Sequence, residues 1–71
     1  MSDLNDNQQT VLNIVRAQGR FGDPVAATVV RDEAKAHGIS ANGARSALDA
    51  LEAHGLIVKC SPGNYLLADA A

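Results

Sequence analysis

The sequence predicts a small α+β domain with three helices, a short strand between the first two, and a two-stranded β-hairpin at the C-terminal end. Three observations predict it. Apolar residues recur at the 3.6-residue spacing of a helix in three separate stretches. Glycines at 19, 38 and 55 stand where each of those stretches stops. After Gly55 the pattern becomes a short β-branched run, a Pro-Gly pair and a second apolar run.

Each element has a local reason. Leu4, Val11, Leu12, Ile14 and Val15 fall on one side of a helical wheel and Gln9, Asn13 and Arg16 on the other, which places helix 1 at Asp6 to Gln18. Asn5 or Asp6 can cap its start, and Gly19 offers a C′ position of positive φ. Arg20-Phe21-Gly22 is too short for a helix and is bounded by glycines, so it reads as a brief strand with Phe21 anchored on the core. Asp23-Pro24 starts helix 2, because Asp accepts from free N–H groups and Pro at N1 loses no hydrogen bond. That helix runs to about His37, with Val25, Ala26, Val29, Val30 and Ala34 as its buried arc and Thr28, Arg31, Asp32 and Lys35 opposite. Glu33 falls inside the apolar arc as an exception to the pattern.

His37-Gly38-Ile39 is a turn of the length a helix-turn-helix needs, and Ser40 caps helix 3. Helix 3 buries Ala44, Ala47, Leu48 and Leu51; Asn42, Ser46, Asp49 and Ala53 face outward, flanked by Arg45, and Gly55 closes it. Leu56 to Cys60 and Tyr65 to Leu67 are the hairpin strands, with Pro62-Gly63 at the centre of a type II turn. Ala-His-Gly-Ile at 36–39 and Ala-His-Gly-Leu at 53–56 read as two similar helix ends. The domain spans 6–68, with a flexible N-terminus at 1–5 and a tail at 69–71.

The chain has 71 residues, enough for one domain that buries only about 60% of the surface its unfolded form exposes. Phe21 and Tyr65 are its only aromatics, so the core is built from small aliphatic side chains, and a dimer or a partner would add stability. Six Lys and Arg against eight Asp and Glu give a net charge of −2, whereas proteins that grip phosphates usually carry a basic excess. Cys60 stands alone, which excludes an intramolecular disulfide, and its apolar strand reads it as a small core residue. With no basic segment leading into an apolar run and no apolar stretch of about 18 residues, the chain reads as cytoplasmic, with no membrane partner.

Nothing in the sequence points to chemistry. His37 and His54 each precede a glycine at a helix C-terminus, where an imidazole meets the negative end of the helix dipole, so neither is read as a metal ligand. No nucleophile, base and orienting residue share a local motif, and no glycine-rich phosphate loop is present, so no enzyme activity and no cofactor are expected. The outward face of helix 3 is the informative surface. Asn42 suits adenine, Arg45 suits guanine or phosphate, and Ser46 suits either, while Asp49 accepts from cytosine but repels phosphate. Arg16, Arg20, Arg31, Lys35 and Lys59 are dispersed along the chain.

The signature Leu48-Asp-Ala-Leu51-Glu-Ala-His-Gly55-Leu-Ile-Val-Lys, ending at Pro62-Gly63-Asn-Tyr65-Leu, closely resembles the third-helix-to-wing segment of the winged helix-turn-helix superfamily. Pro24-Val25 through Ala34, Gly38-Ile39, Leu48, Leu51, Gly55 and Tyr65 are spaced similarly to the C-terminal winged helix of archaeal minichromosome maintenance helicases. Small stand-alone regulators are similar too, and Met1 with short tails fits a free-standing protein. The resemblance covers nearly the whole chain and implies double-stranded DNA binding in transcription or replication control, with helix 3 in the major groove and the wing on the backbone or minor groove. By that resemblance Asn42, Arg45 and Ser46 inherit base-reading roles and Lys59 and Asn64 wing contacts, and Ser40 and Asp49 of helix 3 complete the set of candidate DNA-binding residues. The alternative is a protein–protein interaction module, or a homodimer, regulating a replication assembly with little affinity for DNA.

Overall fold

The computed structural model describes residues 4–68, so part of the expected N-terminal segment and all of the 69–71 tail lie outside the described residues. Helix α1 covers Asp6–Gln18 as predicted. Asn5 is its N-cap: the Asn5 side chain accepts from the Gln8 amide at 2.8 Å and the Gln8 side chain accepts from the Asn5 amide at 3.1 Å, a reciprocal capping box. Val11, Leu12, Ile14 and Val15 form its buried face.

The segment after α1 departs from the prediction. Gly19 has φ −105° rather than a positive value, and glycine is needed there for space: a Cβ would stand 3.0 Å from Val25 Cγ2 and 3.1 Å from the Val15 carbonyl oxygen. Phe21 is not an anchor. It is 79% exposed, with the Arg20 guanidinium 4.7 Å over its ring. The strand β1 is Val25–Ala26, where Val25 is buried and pairs antiparallel with Tyr65, and Ala26 with Asn64. A helix starting at Asp23 would take Val25 out of this pairing, and the pairing wins. Truncation of Phe21 to Ala is therefore expected to change unfolding stability by no more than about 0.5 kcal/mol, the range of surface substitutions, in a thermal or urea melt.

Helix α2 is Ala27–Ala36, starting four residues later than Asp23 and with Ala26 as an N-cap that offers no side-chain hydrogen bond. Instead the Ala27 amide donates to the Gly63 carbonyl at 2.8 Å, which ties the start of α2 to the hairpin turn. The shorter helix has a narrower buried face, Val30 and Ala34, and leaves Val29 40% exposed. Glu33 is exposed too, on the open groove between α1 and α2, so the exception in the sequence pattern disappears.

Helix α3 is Ala41–Ala53, with Ser40 Oγ accepting from the Gly43 amide at 3.1 Å and with the four predicted residues, Ala44, Ala47, Leu48 and Leu51, buried. The two Ala-His-Gly repeats are two copies of one helix ending. Gly38 and Gly55 adopt φ +82° and +75°; the amides of Ile39 and Leu56 donate back to Ala34 and Leu51, and those of the glycines to Lys35 and Glu52. This is the Schellman pattern, and it buries Ile39 while turning the chain from α2 into α3.

Strands β2, Ile57–Ser61, and β3, Asn64–Leu67, form the hairpin, with Gly63 at φ +78° as the third residue of a type II turn requires. The three antiparallel strands are ordered β1-β3-β2. Ile57 and Tyr65 face the core, whereas Cys60 is exposed, contrary to the core position expected of it. The ladder skips a step between Lys59 and Ser61, so Cys60 sits at an irregularity on an edge strand to which no further strand pairs among the described residues. The protein is thus the predicted α+β domain, three helices followed by a β-wing.

Candidate nucleic-acid interface

Three elements meet at a concavity of ≈ 260 Å³ lined by Ala27 and Arg31 of α2, Arg45, Leu48 and Asp49 of α3, and Lys59, Gly63 and Tyr65 of the wing. The packing of buried apolar residues explains why these side chains meet. Leu48 is buried beneath α3, so Arg45, three residues earlier, and Asp49, next along the chain, emerge at the rim. Tyr65 is buried beneath the wing, and its cross-strand partner Lys59 stands at the mouth. The bond from the Ala27 amide to the Gly63 carbonyl holds the start of α2 at the turn, which brings Arg31, one helical turn later, to the same rim.

The result is local excess positive charge on a chain of net charge −2. Arg31, Arg45 and Lys59 are exposed around one concavity, with Asp49 as its one lining carboxylate. Among the described residues no ion pair joins any of these three cations to a carboxylate, so their N–H groups face solvent. Asn42 and Ser46 lie one turn apart on the adjoining exposed face of α3, outside the concavity. They form a polar row beside the basic rim.

Two of the residues named from sequence have structural duties. Ser40 Oγ is occupied as the α3 cap. The Asn64 side-chain amide, half-buried, donates to Ser61 Oγ at 2.9 Å and to the Pro62 carbonyl at 3.5 Å, closing the wing turn. Arg31 joins them only in the folded structure, because its position on α2 says nothing of the wing 28 residues or more along the chain. The remaining three cations do not join the cluster: Arg16 lines a hollow with Leu12, Leu56 and Leu67, Arg20 lies over Phe21, and Lys35 is exposed in the last turn of α2, outside the concavity.

His37 and His54 are the C-caps of two different helices, and no group of three or more His, Cys, Asp or Glu suited to a metal ion occurs among the described residues. No helix among them is long and apolar enough to cross a membrane. No protein-family model matches the chain, and neither does any curated protein or solved structure. Chemically, the arrangement offers guanidinium forks and an ammonium group to an oxyanion, and amide and hydroxyl groups alongside.

Proposed function

We propose that this chain is a winged-helix protein that binds double-stranded DNA in the cytoplasm and acts in transcription or replication control without catalysis. The reading rests on one observation above all: Arg31, Arg45 and Lys59, dispersed in sequence, converge on one rim beside α3. A helix of 13 residues has the length to lie in a major groove, and Asn42 and Ser46 supply the donors and acceptors that base edges pair with. The wing then lies over the backbone with Lys59 on a phosphate. Arg45 and Asp49 stand at the edge of the groove, where the guanidinium takes guanine or phosphate and the carboxylate excludes phosphate from its own position.

Titration of a fluorescent duplex at several salt concentrations tests this. Each backbone phosphate neutralised at this face contributes about −0.9 to the log–log slope of affinity against salt, and binding without a preferred sequence predicts dissociation constants of roughly 10⁻⁴ to 10⁻⁶ M. Absence of binding at low salt overturns the reading and leaves the same face to a protein partner.

A further inference from the structure

We infer that the concavity between α2, α3 and the wing is a discrete seat for a single phosphate group, held by Arg31, Arg45 and Lys59. This deepens the proposed duplex binding, and its use in the cell rests on that reading. Scattered surface cations screen an anion from outside, whereas cations from three elements around one hollow surround it. Two guanidinium groups present planar forks matched to phosphate oxygens, and the ammonium group adds a charge without angular demand. The rim is also set in place before any ligand arrives. Arg31 and Arg45 stand on helices packed through Val30, Ala34, Ala44 and Leu48, and Lys59 is paired in the sheet with buried Tyr65. Little ordering cost is left for binding beyond the side chains themselves.

The size and chemistry of the hollow restrict the occupant. At ≈ 260 Å³ it has room for a tetrahedral oxyanion with its water, and beneath it lie buried Leu48 and Tyr65, so the cationic rim supplies the main attraction for an anion. Ala27, the first residue of α2, also lines it, so the positive end of that helix dipole adds to the field of the three side chains. Asp49 sits on the same rim and sets a limit. It repels a second negative charge, so the seat takes one phosphate and not a run of them. A duplex offers such a group from its backbone; free inorganic phosphate offers the same chemistry.

Inorganic phosphate, added to the whole chain with ionic strength held constant by chloride, is the probe, and backbone amide NMR shifts are the readout. The expected result is a saturable shift centred on Ala27, Arg31, Arg45, Lys59 and Gly63, with half-saturation in the millimolar range given so small a ligand. Arg31→Gln is expected to weaken it about tenfold, the loss of one charge-assisted contact, while Lys35→Gln, outside the concavity, leaves it unchanged. Both residues are exposed, so both variants retain the fold. Shifts no larger than chloride produces, or an Arg31→Gln variant that binds like the parent, overturn the seat. A fluorescent duplex separates this from the function. A duplex displaced by phosphate at constant ionic strength supports the backbone as the source. A duplex that binds when phosphate does not overturns the seat and leaves the DNA reading standing, whereas phosphate binding without duplex binding supports the seat with free phosphate as its ligand and removes the DNA reading.

Discussion

Replacing Leu51 by Ala is expected to remove most of the domain's stability. Leu51 is fully buried, and it sits where α3 ends and turns back toward the wing. Truncating a buried Leu costs about 2–5 kcal/mol, through lost transfer energy and the cavity left behind. A core in a domain this small supplies only about 3–5 kcal/mol of net stability. The two magnitudes are comparable, so the variant is expected to be largely unfolded at 37 °C, or to melt roughly 10–30 °C below the parent by far-UV circular dichroism. A shift of only a few degrees would show that Leu51 does not occupy the core position described for it. The small-aliphatic core makes the effect severe, since no large aromatic apart from Tyr65 is buried to compensate.

The second large effect is electrostatic and leaves the fold alone. Neutralising Arg31, Arg45 and Lys59 together as glutamines is expected to abolish the phosphate contact at the seat and to reduce the magnitude of the salt slope of duplex binding by about 0.9, the share of one neutralised phosphate. All three are exposed, so the melting temperature stays close to that of the parent. Asp49→Asn should act in the opposite sense, strengthening duplex binding by removing the one carboxylate on the rim. A triple variant that keeps the parental slope would place the phosphate contacts on some other face.

Much of this fold is legible in the residues, and the parts that are not have a common cause. Helix α1 and helix α3 follow from strong apolar periodicity and from caps within four residues of their ends, all local information. The two Ala-His-Gly endings likewise encode their own geometry. Strand β1 is different, because two residues carry no periodicity and Val25–Ala26 is extended only by virtue of its partners, Tyr65 and Asn64, far along the chain. The same non-local pairing accounts for the other departures. With Val25 committed to the sheet, α2 begins late, Val29 and Glu33 turn outward, and Phe21 is left on a loop in solvent.

The candidate site divides along the same line. Asn42, Arg45, Ser46 and Asp49 are readable as one helix face because they share a helix. Arg31 is not, since its nearness to Lys59 exists only once the wing has folded against the start of α2. Net charge carries no trace of this local cluster: a sum over the chain is blind to where the charges meet.

The single hydrogen bond from the Ala27 amide to the Gly63 carbonyl makes the wing and the second helix report on one another. If the hairpin lifts away, Ala27 loses the acceptor of its amide, and that proton becomes free to exchange with water. Hydrogen–deuterium exchange at this one position is therefore a gauge of wing opening, and any ligand that clamps the hairpin down will slow it, whatever that ligand is.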